Sequence, residues 1–121
     1  KRLRGWDVQG PEIARLAGGY DAILADDREV MSGLIYYARP GPPVVAWDQN
    51  GRIDSHYEAF NAFDPAREKR LLYVTTDPLA AALRERFQSV ELLGTSEALM
   101  TPARVRKLYL FAVSDYRPAG A

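Results

Sequence analysis

The chain has 121 residues, 47% of them apolar, with sixteen basic against sixteen acidic side chains and no cysteine. A chain of this length suffices for one globular domain that buries roughly two-thirds of its unfolded surface. The balanced charge argues against a general nucleic-acid binder, which needs a basic surplus or stripe, and the absence of thiols excludes disulfides, thiolate nucleophiles and zinc–cysteine sites.

Gly10-Pro11 predicts the opening of a first helix, since proline suits a first helical turn. Ile13, Leu16 and Ala17 give that helix one apolar face, and Gly18-Gly19 stops it. "YDAILA", Tyr20 to Ala25, reads as a short buried strand. A second helix is expected from about Asp27 to Ala38, with Val30, Met31, Leu34, Ile35 and Ala38 along one side. "PGPP", Pro40 to Pro43, ends it, and "VVAW", Val44 to Trp47, is the second strand. The stretch from Asp48 to Lys69 has the weakest pattern, although Asn50-Gly51 marks a turn.

"LLYVTT", Leu71 to Thr76, is the third strand. Asp77 follows as a helix cap with Pro78 at the first helical position. The helix after it, "PLAAALRERF", places Leu79, Leu83 and Phe87 inward. Ser89 to Ser96 is the fourth strand, Met100 to Arg106 a connection, and Lys107 to Arg117 the fifth. No helix separates strands four and five, which predicts an antiparallel pair. The alternation favours an α/β fold, a three-layer sandwich on a mainly parallel sheet of about five strands with an antiparallel C-terminal strand.

Chemistry is sparse along the chain. "LADDREVMSG", Leu24 to Gly33, puts acids directly after a strand, where α/β active sites gather. Asp26-x-x-Glu29, however, has capping-box spacing, and Asp27 in the first turn suits the helix dipole. Capping thus accounts for Asp26, Asp27 and Glu29 and leaves Arg28 as a candidate contact. A metal site would need further oxygen ligands, and none is expected. "ADDRE" has no glycine and the wrong charge for a phosphate loop, so a Rossmann-like shape would not make a nucleotide site. No cofactor is expected.

His56 is the only histidine. A free-standing hydrolase-like enzyme would use it as a base, with a carboxylate and a nucleophile brought together by the fold. No G-x-S-x-G elbow accompanies it. Trp47, Tyr57, Phe60, Phe63 and Tyr116 lie near expected loops, where aromatic faces either close the core or stack on sugar rings. Trp47 followed by Asp48 is the best candidate for such a platform, and Tyr57 and His56 are further candidate binding residues. A sugar- or protein-binding module is the corresponding reading.

"GYDAILADDREVMSGLIYYAR", "PPVVAWDQNGRIDSHYEAF" and "RLLYVTTDP" together resemble the soluble C-terminal region of bacterial family-39-type membrane glycosyltransferases. These are relatives of the dolichyl-phosphate-mannose–protein mannosyltransferases and of the aminoarabinose transferase. The resemblance spans about Gly5 to Arg117. It implies a multi-span parent enzyme that transfers a sugar from a polyprenyl-phosphate carrier on the periplasmic face of the bacterial inner membrane. The family's catalytic acids lie in loops of the transmembrane part, so no catalytic residue carries over. The chain is then expected to be a single soluble domain excised from such a protein, inactive alone, that helps bind the acceptor or covers the active site. Its partners would be the transmembrane part of the same polypeptide and a lipid-linked sugar or glycan acceptor. No apolar run approaches the ~20 residues of a membrane span, and no signal peptide opens the sequence.

Overall fold

In a computed structural model the described residues are 5–25, 27–38, 41–46, 66–79 and 81–117. In chain order they form α1 (Trp6–Leu16), a 3₁₀ turn (Ala17–Gly19), β1 (Ala22–Ala25), α2 (Arg28–Tyr37), β2 (Val44–Ala46), β3 (Arg70–Thr75), α3 (Ala81–Arg86), β4 (Phe87–Thr101) and β5 (Arg104–Tyr116). The five strands make one mixed sheet in the order β2-β1-β3-β5-β4. β1 pairs parallel with β2 and with β3, whereas β5 runs antiparallel to both β3 and β4. The sheet is therefore mixed rather than mainly parallel. The reason is topological: β4 and β5 form a hairpin, and β5 inserts between β3 and β4, opposed to each.

Two apolar cores lie on opposite faces of the sheet. On one face α1 and α2 bring Trp6, Ile13, Met31 and Leu34 against Ile23, Leu72, Leu108 and Leu110. On the other, Leu83 of α3 packs with Leu24, Tyr73, Phe87, Phe111 and Val113. The strict alternation along β5 sends Leu108 and Leu110 to the first core and Phe111 and Val113 to the second, as the pleat requires. No helix among the described residues is long and apolar enough to cross a membrane.

The first helix differs from its expected start. It begins at Trp6, with Gly5 in the left-handed region at φ 82, and Pro11 lies inside it. Burial explains this. Trp6 and Gln9 are fully buried, and the area they remove from water outweighs the hydrogen bond that Pro11 forfeits. Leu16, expected inward, is half exposed. The two helices approach closely through glycines. A Cβ at Gly33 would overlap the Trp6 indole, and one at Gly10 would overlap Tyr37.

Two further boundaries are corrected. The helix after β3 starts at Ala81, and Leu79 is 75% exposed rather than inward. β4 and β5 reach Thr101 and Arg104, so the expected connection from Met100 to Arg106 is mostly strand, closed around Pro102 and Ala103. Ladder pairing extends both strands past the point where side-chain alternation marks them.

At the opposite end of the sheet, Asp21 ties β1 to β3. Its carboxylate accepts hydrogen bonds from the amides of Arg70 (3.1 Å) and Lys69 (2.9 Å). Those bonds, Arg70 first, hold the Asp21 carboxyl below its ordinary pKa near 3.8. The unfolded chain thus binds the proton more readily. The stabilisation is complete above about pH 4 and disappears as pH falls through the lowered folded-state pKa. Thermal unfolding of Asp21→Asn between pH 6 and 2 should show a shallower acid limb than the parent. Identical limbs would mean that another carboxylate carries the acid sensitivity.

Candidate functional site

β1 leads through α2 to β2 on one side, and the chain then returns to place β3 on the other side of β1. Strand order therefore reverses between β1 and β3. Ligands of open α/β sheets bind at such a reversal, outside the carboxyl ends of the strands. A cleft of about 280 Å³ lies there, lined by Asp27, Glu29, Val30, Thr76, Arg104, Val105, Arg106, Lys107 and Tyr109. Asp27 follows β1, Thr76 follows β3, and the other basic and aromatic groups come from the start of β5.

The acids of the cleft are engaged. Asp27 Oδ2 accepts the amides of Glu29 and Val30, each at 3.1 Å, so Asp27 is the N-cap of α2. This corrects the Asp26-x-x-Glu29 capping box: the cap lies one residue later, and Glu29 reaches elsewhere. Glu29 Oε2 accepts from Arg106 Nη2 at 3.3 Å. Local spacing favoured Asp26; the helix packing that buries Val30, Met31 and Leu34 sets the phase that makes Asp27 the cap. Asp27→Ala should lower stability by about 1 kcal/mol, read as a shift in urea midpoint. A change below ~0.3 kcal/mol would place the working cap elsewhere.

Arg106 is the centre of a buried polar network. It is 6% exposed, and its guanidinium lies 4.5 Å from the Trp6 ring centroid. Its Nη1 donates to Gln9 Oε1 at 3.2 Å. Gln9 Nε2 donates to the Ser96 carbonyl at 2.9 Å and the Arg106 carbonyl at 3.3 Å. Ser96 Oγ donates to Glu12 at 2.9 Å. The network joins α1, α2, β4 and β5 behind the cleft, and a buried cation needs such satisfaction.

At the end of β3, Asp77 donates its amide to Thr75 Oγ1 and accepts the Leu79 amide on Oδ1 at 3.0 Å. Asp77 therefore stabilises a turn ahead of α3 rather than capping the helix expected at Pro78. Lys107 Nζ stands 3.6 Å from Glu97 and 5.4 Å from the Tyr109 ring centroid.

Of the residues singled out from sequence, Arg28 is the first residue of α2, and its side chain lies outside the described set. Trp47, Asp48, His56, Tyr57 and Asp26 also lie outside the described residues. Glu29 lines the cleft; Asp77 does not. Sequence reading missed Thr76, Arg104, Arg106, Lys107 and Tyr109. The one local signal was the density of bases in "RVRK", Arg104 to Lys107. Among the described residues no group of three or more His, Asp or Glu gathers to hold a metal.

Comparison with protein-family models, with curated proteins and with solved structures finds no match for this chain in any of the three.

Proposed function

We propose that the chain is a non-catalytic domain of a polyprenyl-phosphate-sugar-dependent membrane glycosyltransferase, and that its cleft binds rather than reacts. In this reading it works on the periplasmic face of the bacterial inner membrane beside the transmembrane part of the same polypeptide. There it helps hold a lipid-linked sugar or glycan acceptor, or covers the active site. The family part of the reading is supported by the resemblance along Gly5 to Arg117. The helices on both faces of the sheet support a three-layer sandwich as the finer architecture.

The observation that carries the non-catalytic part is the commitment of both cleft carboxylates. Asp27 is engaged by two helix amides and Glu29 by a buried guanidinium. A general acid or base must exchange a proton with a substrate within hydrogen-bond reach. Both carboxylates are already occupied as hydrogen-bond acceptors within the fold, which leaves neither one placed for that exchange.

The test has two arms. The chain alone, offered a polyprenyl-phosphate sugar and acceptor, should transfer no sugar and hydrolyse none. The gene upstream of Lys1 should encode several apolar spans with acidic loops between them. Hydrolysis by the chain alone that vanishes in His56→Ala would overturn the reading in favour of a small hydrolase. An open reading frame without spans would remove the glycosyltransferase parent.

A further inference from the structure

Resting on the reading of the cleft as a binding site, we propose that it takes a small anionic group, a carboxylate or a phosphate, with Arg104 as its main anchor. The shape of the sheet supplies the place. β3 ends at Thr75, which pairs with Tyr109, while β5 continues to Arg104. Among the described residues, the β5 backbone from Arg104 to Leu108 thus has a strand neighbour only on the β4 side. The notch left beyond β3 is the cleft.

Charge supplies the ligand class. Three cations line the cleft, Arg104, Arg106 and Lys107, against two acids, Asp27 and Glu29. Asp27 is hydrogen-bonded by the amides it caps, and Glu29 pairs with Arg106, so the lining as a whole carries one more cation than acid. Lys107 is shared with Glu97 across a half-exposed pair of 3.6 Å, which holds it only weakly. Arg104 is exposed and has no carboxylate within ion-pair distance among the described residues. The charge left over in the cleft is therefore positive. A guanidinium presents two parallel donors that match a carboxylate or phosphate edge. The neutral polar residues Thr76 and Tyr109 also line the cleft, and the Lys107 ammonium lies over the Tyr109 ring, 5.4 Å from its centroid.

The test is a titration of the ¹⁵N-labelled full chain with inorganic phosphate and, separately, with acetate, against sodium chloride at matched ionic strength. Amides of Thr76, Arg104, Lys107 and Tyr109 should move saturably with phosphate or acetate and not with chloride. The anion that saturates at lower concentration identifies the favoured group. Arg104→Gln should weaken the binding at least tenfold, while its unchanged amide dispersion elsewhere shows an intact fold. Glu97→Gln, which releases Lys107, should strengthen it severalfold. Absence of saturable shifts with both anions, or equal affinity in Arg104→Gln, would overturn the proposal. A neutral oligosaccharide that moves the same amides when neither anion does would overturn the anion assignment while supporting the binding cleft. Silence toward anions and oligosaccharide alike would count against both.

Discussion

Trp6→Ala should reduce the free energy of unfolding by about 3–5 kcal/mol, the cost of emptying a large, fully enclosed aromatic site. Trp6 is 0% exposed and lies between Gly33 of α2 and the Arg106 guanidinium of β5. Its removal opens a cavity at the junction of three elements and deprives Arg106 of the ring it lies over. Domains of this size have roughly 5–15 kcal/mol of net stability, so the variant should be marginal at 37 °C. Urea unfolding followed by far-UV circular dichroism measures the loss. Gly33→Ala probes the same contact from the other side. Its methyl group would enter the indole, and overpacking of that kind costs about 1–3 kcal/mol. In the Trp6→Ala background the same methyl enters vacated space, and its cost should fall close to zero. Additive costs would mean that the helices separate at Gly33 rather than seat the tryptophan.

Arg106→Ala should cost about 2–4 kcal/mol. The Gln9 amide oxygen loses its donor inside the protein, worth about 1–3 kcal/mol. The cation–ring contact with Trp6 is lost as well, at about 1 kcal/mol. Glu29→Gln should cost less, about 1 kcal/mol, because its amide oxygen can still accept from Arg106 and the Glu29 side chain is 58% exposed. The two residues share one interaction, so the double variant should cost about 0.5–1 kcal/mol less than the sum. Simple additivity would show that Glu29 and Arg106 act independently. An Arg106→Ala cost below ~1 kcal/mol would show that water replaces the guanidinium within the network.

Much of the fold was legible before any coordinates. β1, β2 and β3 fall within two residues of their expected bounds because short apolar runs between glycine, proline and polar breaks have few alternatives. The apolar side of α2 reads correctly, since Val30, Met31, Leu34 and Ala38 repeat at helical spacing and are buried. The antiparallel pairing of the last two strands follows from the short link between them.

The misses share a cause. Pro11 is a strong local start signal, yet α1 begins at Trp6 because burying an indole and satisfying Gln9 involve residues nearly a hundred positions away. Capping-box spacing points to Asp26, whereas the phase of α2 against the sheet makes Asp27 the cap. The cleft escapes a linear reading for the same reason. Its walls come from the ends of β1 and β3 and from the start of β5, near Asp27, Thr76 and Arg104.

Composition, periodicity and breaks thus specify the class of fold, the number of strands and most of the inward-facing residues, because these depend on interactions over a few positions. The insertion of β5 between β3 and β4, the notch it leaves beyond Thr75, and the burial of Arg106 depend on contacts between distant segments. Those contacts form only when the chain closes on itself, and they decide which charges are used up holding the fold together and which stay exposed in the cleft.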